Sequence, residues 1–518
     1  MATVIREPEV TIALVSSDTL VGNKPQRILA IGQKLAGGTA VSGALVTQIQ
    51  NDNSWDTLFG AKSMLSGQCR NVRRYNTVTR LDAIALDDNG SAVQATGTMT
   101  IAGTAATVAG LITFYIGSKV DYRFQIPVAV GDTPSIVATT LTIAINAHAT
   151  VPVTCSNTAG AITITAENGG TVGNTIGLEL SVKNVVGLSA VVATPMSGGL
   201  IDPSFTGLFD VIEDERYQTY LWAYTDDIDT IKNELDSRWN VSNNILDGVA
   251  FMLVDDTLSG ALATLDALNS QSLCVFADEF VNTATHKGGA ILEIPYATAA
   301  QIASISALRL TDGAAIGRFV IARQGGLDRF GSSALASLPF FNTPIPDLPL
   351  MNVKDGWTAP EQEFIKQSGG SIVGNNISNN EVLLGEVLTT YKTDVASNPD
   401  ITFKYLEYVQ TSSNIREFYF NNLKARFAQS RLTEGALIAG RAMANGAVIE
   451  AFCTQLYQQL ANIVLVQDGE TALKFYKQNL LVTLDLAQGK ATVQMIVPIV
   501  TQLRVILATI QIAFTAEG

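Results

Sequence analysis

Histidine is almost missing from this sequence, with two in 518 residues, His148 and His286. That scarcity leaves no material for a His-based triad or a multi-His metal centre. Cysteine is nearly as rare. Cys69, Cys155, Cys274 and Cys453 stand far apart without a CxxC pair, a spacing that fits buried free thiols in a reducing compartment. Charge is sparse at 15%, and the formal net charge of −14 works against nucleic-acid or anionic-membrane binding, which needs clustered Lys and Arg. The N-terminal residues lack a basic stretch followed by an apolar one, so no secretory signal is expected and synthesis in a cytoplasm is. The most apolar run, 495–514, holds Pro498, Gln502, Arg504 and Gln511. An Arg near mid-span costs roughly 2.5–3.5 kcal/mol on insertion scales, so no membrane insertion is expected.

What is present is ordinary globular material, 47% hydrophobic with 42 Gly, in a chain long enough for two to four domains. Residues 1–24 read as an extended N-terminal arm, with β-branched patches at Val4-Ile5 and Val10-Thr11-Ile12 on either side of Pro8. The range 25–89 has an α/β texture. Arg27 to Gly32 is a buried strand, Ser54 caps a helix through Leu58, Met64 and Leu65, and Leu81 to Leu86 is the next strand. Composition then shifts to Thr, Ala, Gly and Val. Short alternating runs at Gly97–Ile101, Leu111–Ile116, Tyr122–Val128 and Ala161–Ala166, with a helix Pro134–Ala147 opened by Gly131-Asp132-Thr133, predict an inserted α+β domain over 90–199.

Alternation of strand and helix returns over 200–345, with strands at Tyr220–Tyr224, Gly248–Val254 and Leu273–Phe276. The intervening helices are Asp226–Trp239, Thr257–Leu268 and Tyr296–Leu308, an order that predicts a parallel sheet. Residues 324–370 read as a long irregular connector. The range 346–500 holds a hairpin from Ser371–Val373 and Glu381–Tyr391, helices Tyr405–Arg426 and Gly435–Leu460, and a second hairpin. In that second hairpin Leu480–Leu486 and Thr492–Val497 alternate around Gly489. Residues 501–518 form a C-terminal arm in which Ile510, Ile512 and Phe514 alternate, although Leu503, Ile506, Leu507, Ile510 and Phe514 also fit a helical stripe. The fold class expected is therefore multidomain α/β and α+β, a mixed α/β core interrupted by an inserted domain and flanked by β arms.

Searches for chemistry end without an enzyme. The segment Gly32 to Thr39 has the outline of a phosphate loop but carries Gly38 where the motif needs Lys. The acid pairs Asp226-Asp227 and Asp255-Asp256 sit at strand ends and read as helix-cap acids, His148 as a helix-capping or surface group, and Arg70, Arg73, Arg74 and Arg80 as a solvated or interface surface. No cofactor or metal is expected.

The order of these parts resembles the Mu-type tail sheath proteins of contractile phage tails. Residues 25–33 resemble that group's first core strand and 58–65 its following helix. Gly131-Asp132-Thr133 and Gly173-Asn174-Thr175-Ile176 resemble the inserted domain, and Thr389-Thr390-Tyr391, Gly489 to Ile496 and Thr501-Gln502-Leu503 the C-terminal part. The connector and residues 509–518 match only loosely.

The resemblance implies a non-enzymatic virion-tail subunit that stacks as hexameric rings into a helical polymer around the tail tube protein. It would meet baseplate and tail terminator proteins and contract to drive the tube through the host envelope. It also implies arms that add strands to neighbouring subunits, with Val4, Ile5, Val10, Ile12, Ile506, Ile510, Ile512 and Phe514 as contacts. Arg426, Arg431, Lys474 and Lys477 are tube-facing candidates. The alternatives are the sheath of a phage-derived tailocin and an α/β nucleotide-binding enzyme.

Overall fold

The computed structural model describes residues 25–241, 244–279, 293–311, 340, 343–345, 348, 357–376, 381–438, 441–462 and 465–501. The two arms, including all eight arm-contact candidates, and His286 lie outside these residues. A six-stranded sheet organises the rest, in the order Leu273–Asp278, Val249–Asp255, Thr219–Leu221, Arg27–Gln33, Arg80–Leu86 and Leu45–Val46. The first five strands run parallel and only the short last one is antiparallel. Both faces are covered, so Arg27–Gln33 and Arg80–Leu86 are buried at every position after the first. This is why these strands read as continuous apolar runs.

The helix expected from Ser54 through Leu65 is two helices, Ser54–Phe59 and Met64–Tyr75. Gly60 separates them at φ +88°, with Leu35 packed where a side chain would go. Asn53, not Ser54, holds the first N-cap position, while the Ser63 hydroxyl caps the second helix by accepting from the Ser66 N–H. Two other expectations shift. The Tyr220–Tyr224 strand shortens to Thr219–Leu221 and gives way to an aromatic corner of Trp222, Tyr224 and Phe205. The far end of the connector contains a strand, Thr343–Ile345, and a helix, Ala359–Gln367, opened by a Thr358/Glu361 capping box.

Between Leu86 and Thr219 the chain leaves the parallel sheet and builds two antiparallel ones. One has four strands, in the order Val186–Ser197, Gln94–Val108, Ala161–Gly169 and Val153–Thr158. The other has three, Arg123–Val128, Gly110–Ile116 and Leu178–Lys183. The helix Pro134–Ala147 begins and ends where its sequence signals place it, with Pro at the first turn and Thr133 at the N-cap. Its Val137, Leu141 and Ile145 join an apolar cluster that runs without a break into Leu29, Ile31, Ile84 and Leu86 of the parallel sheet.

A polar clamp fastens the same junction. The Asp88 carboxylate accepts from Gln33 Nε2 at 2.7 Å, Asn168 Nδ2 at 3.0 Å and the Gly169 N–H at 2.7 Å, while Asn168 Oδ1 accepts the Met64 N–H that opens its helix.

The arginine cluster is not a solvated surface. Arg70 pairs with Asp56, Arg74 with Asp121 and Arg80 with Asp82, while Arg73 donates to the Ile49, Asn76 and Thr79 carbonyls. Arg70, Arg73 and Arg74 reach across to other segments of the chain, while Arg80 pairs within its own strand, a structural use that matches Arg's fork of donors. The four cysteines are free and buried. No helix among the described residues is long and apolar enough to cross a membrane.

Candidate assembly interface

The C-terminal part hangs on one helix, Leu406–Phe427. Its first turn, Leu406 and Val409, packs into the cluster under the parallel sheet. Its second half, Ile415, Phe418 and Tyr419, belongs to a separate cluster with Ile449, Phe452, Leu456, Tyr457 and Tyr476. Where the helix crosses from one to the other, a buried ionic network holds it. Arg216 donates to Glu417 at 2.5 Å and to Ser413 Oγ at 2.6 Å. Asp247 accepts from Arg416 at 2.9 Å and from Ser413 at 2.8 Å. Arg216 and Glu417 are each 2% exposed. Burial pushes the Asp247 carboxyl up, against the pull of Arg416 and Arg216. Such a network fixes position more than it adds stability, because desolvating the charges offsets most of their attraction.

The expected helix over Gly435–Leu460 begins later, as Gly446–Asn462. Before it the chain pairs Arg431–Leu432 with Met443–Ala444, and Asn445 caps the helix by accepting the Val448 N–H. A further helix, Glu470–Gln478, was not among the sequence expectations. It buries only Tyr476, whose ring stacks on Tyr457 at 4.3 Å and whose hydroxyl meets Tyr419 and the Cys453 carbonyl.

Against this small core lies the second hairpin, Leu481–Asp485 paired with Lys490–Gln494, turning at Gly489 with φ +63°. One row, Val482, Leu484, Val493 and Met495, packs on the tyrosine cluster. The other row, Leu481, Thr483, Asp485, Lys490, Thr492 and Gln494, faces solvent, and Leu481 is 55% exposed there. Among the described residues no third strand pairs with this hairpin. Among the described residues, then, neither edge of the hairpin has a further strand on it, and an unpaired edge is what strand addition uses.

The four cationic candidates all fall on this C-terminal unit, and all are exposed. Lys474 and Lys477 share one helical face three residues apart, the Arg426 guanidinium lies 5.9 Å from the centre of the Phe452 ring, and Arg431 sits at the start of the short strand pair.

The remaining candidates do not assemble into chemistry. The loop after the first strand spends its N–H groups on protein. Leu35 donates to Phe59, Thr39 to Thr57 and Ala40 to Leu58, and Gly38 is pressed against the Leu58 carbonyl. Most of the N–H groups that a phosphate would need are therefore already engaged, and Gly38 supplies no cationic side chain. Asp226 and Asp227 form a 3₁₀ turn before the helix Ile228–Trp239, and Thr257, not an acid, caps the helix Leu258–Asp266. His148 ends its helix, accepts the Thr150 N–H and meets Tyr122 and Phe124 edge-on. No group of three metal-ligating side chains occurs among the described residues.

These features define a mixed α/β protein with several sheets, a closed central one and an open C-terminal one, and with no catalytic constellation among the described residues. The chain is similar to a curated Mu-like tail sheath protein. It is 25% identical over 452 residues to the Mu-like prophage FluMu tail sheath protein of Haemophilus influenzae, an alignment covering 86% of this chain and 84% of that one. No protein-family model matches. Among solved structures, the sheath tail protein of Listeria innocua aligns over 93% of this chain and 94% of its own, with a TM-score of 0.47 and 12% identity. The helical sheath of the anti-feeding prophage in its contracted state aligns over 98% and 99%, with a TM-score of 0.44 and 11% identity.

Proposed function

We infer that this chain is the subunit of a contractile tail sheath. In this reading it polymerises as stacked hexameric rings around a tail tube in the virion tail, meets baseplate and terminator proteins at the ends, and contracts to drive the tube through the host envelope for genome ejection. It is made in the cytoplasm of the host. The chain has no catalytic role, and the low charge and paired arginines suit a protein whose work is mechanical.

The observation that carries this reading is the two-stranded hairpin Leu481–Gln494, packed on one face and without a third strand among the described residues. An isolated two-stranded ribbon is marginal in water. Strands from arms 1–24 and 501–518 of neighbouring copies would extend it, with Val4, Ile5, Val10, Ile12 and Ile506, Ile510, Ile512, Phe514 setting register through alternate side chains. Main-chain pairing of this kind tethers subunits through a rigid-body rearrangement, so contraction repacks subunit contacts while the arms act as hinges. The segment 90–199 faces outward, and Arg426, Arg431, Lys474 and Lys477 face the tube.

The full-length chain, overexpressed and viewed by negative-stain microscopy, is expected to form striated tubes. Deletion after Val500 should leave a folded subunit that no longer polymerises, and normal long tubes from that truncation would sink the arm mechanism.

A further inference from the structure

The sequence contains three Asn-Gly steps, Asn89-Gly90, Asn168-Gly169 and Asn445-Gly446, and the fold treats them differently. An Asn before a Gly is open to attack by its own backbone, because glycine has no Cβ to keep the next amide nitrogen away from the side-chain carbon. The surroundings then decide which of the three can react.

At Asn168 every group involved is held. The residue is 8% exposed, its Nδ2 donates to the Lys34 carbonyl and to Asp88 Oδ1, and its Oδ1 accepts the Met64 N–H. The Gly169 N–H, the group that would have to attack, is bound by Asp88 Oδ2 at 2.7 Å. Asn445 caps the helix Gly446–Asn462. Its Oδ1 accepts the Val448 N–H at 3.0 Å, its Nδ2 donates to the Gly435 carbonyl at 3.3 Å, and its own carbonyl accepts the Ile449 N–H. The peptide after it is fixed in the first turn of that helix.

Asn89 stands in the turn between the strands Arg80–Leu86 and Gln94–Val108. Its Oδ1 accepts the Ser91 N–H at 3.0 Å, and its carbonyl accepts the Ala92 N–H at 2.9 Å. The first bond makes an Asx turn, which draws electron density from the side-chain carbonyl and folds Cγ back toward the intervening Gly90. Neither the Gly90 N–H nor Asn89 Nδ2 bonds a described residue, and Gly90 is exposed. Attacking nitrogen, polarised carbon and leaving amine are therefore all available at this step and not at the other two.

We propose that Asn89 is a site of spontaneous covalent modification in the folded chain. The Gly90 amide nitrogen gives up its proton to base and bonds to Asn89 Cγ, and the side-chain amide leaves as ammonia, closing a succinimide ring. Water then adds to either ring carbonyl and breaks its bond to nitrogen, which regains a proton. The products are aspartate and its β-linked isomer, with one water consumed and one ammonia released. The β-linked product lengthens the backbone by one carbon immediately after Asp88, whose carboxylate holds Gln33, Asn168 and the Gly169 N–H. That lengthening loosens the clamp between the parallel sheet and the segment that follows it.

The test holds the full-length protein in mildly alkaline water enriched in heavy oxygen, which marks residues converted during the incubation, and follows the three Asn-Gly peptides by mass spectrometry. Asn89 should convert about tenfold faster than Asn168 or Asn445 in the folded chain, and the three rates should converge in denaturant. Gly90→Ala should slow the reaction at Asn89 and keep the fold, since a Cβ there meets nothing within 4 Å. In the isomerised fraction the Gly169 and Met64 amides should exchange faster than in unmodified protein. Asn89→Asp, which adds the charge without the extra carbon, should leave them slow.

Equal rates at the three sites in the folded chain, an Asn89 that stays intact, or a G90A chain that converts at the wild-type rate overturns the assignment. An isomerised chain whose Gly169 and Met64 amides exchange as slowly as the unmodified ones overturns the loosening of the clamp.

Discussion

The parallel sheet and the C-terminal hairpin are built from similar apolar strands, yet one is closed and the other is not. Phe251, Met252 and Leu253 sit in a strand buried on both faces, with neighbouring strands on each edge. Val482 and Leu484 alternate with exposed Leu481 and Thr483 in a strand that has one partner. A sheet satisfied within its own chain serves as scaffold. A sheet with a single pairing among the described residues is the one on which the proposed strand addition rests.

The strongest way to break that contrast is to attack the scaffold and the ribbon with equivalent deletions. Phe251→Ala empties a fully buried site and is expected to cost about 3–5 kcal/mol, read as a large drop in thermal midpoint of the dispersed subunit. Leu481→Ala should cost less than about 0.5 kcal/mol, because more than half of that residue is already exposed, while weakening polymer formation. A stability loss at Leu481 comparable to that at Phe251 would mean the hairpin is closed in the free subunit.

The helix that joins the two regions gives a second test. Glu417→Ala strands the Arg216 guanidinium in a buried site and should cost about 3–5 kcal/mol, whereas an Arg216→Met/Glu417→Leu pair should come within about 1 kcal/mol of wild type. If the apolar pair also leaves assembly intact, the network is dispensable. If stability survives while assembly fails, its role is to fix where the C-terminal unit sits. A smaller effect belongs to the ribbon's turn. Gly489→Ala places a Cβ at positive φ and should cost about 1 kcal/mol, visible as faster amide exchange in 481–494 only.

Much of the scaffold was legible because its signals are local. The helix Pro134–Ala147 carries its own start signal, and the parallel strands are unbroken apolar runs. The strands Val153–Thr158 and Val186–Ser197 went unread because Thr, Ser, Ala and Gly leave too little apolar contrast to show a period, whereas Leu178–Lys183, with Leu178, Leu180 and Val182 alternating with Glu179, Ser181 and Lys183, carried a readable signal that was missed. The partners of the arginine cluster were not legible for a different reason: Arg74 finds Asp121 47 residues away and Arg73 the Ile49 carbonyl 24 residues away, so their pairing is a property of the tertiary fold. In the C-terminal unit the hairpin itself was legible from its alternation. Its openness was not, since a strand that lacks a neighbour has the same sequence period as one that has it.

Acid offers the gentlest probe of the comparison. The C-terminal unit contains no histidine, and the chain's His148 lies in the segment between the strands of the parallel sheet. Burial and then the Lys62 charge hold the His148 imidazole below its ordinary value, and its Nδ1 accepts the Thr150 N–H, which only the neutral ring can do. The unfolded chain therefore takes up a proton first. The stability that neutral His148 contributes is present above the ordinary value near 6.5 and is lost as pH falls through it toward the lower folded value. Amide exchange around Tyr122 and Thr150 should accelerate between pH 7 and 5, while exchange in 481–494, corrected for intrinsic rates, stays level. His148→Phe should remove the response and keep the edge-on contacts with Tyr122 and Phe124. A response of equal size in the hairpin would show that the two regions unfold as one unit, and the contrast drawn from their sheets would then be one of exposure alone.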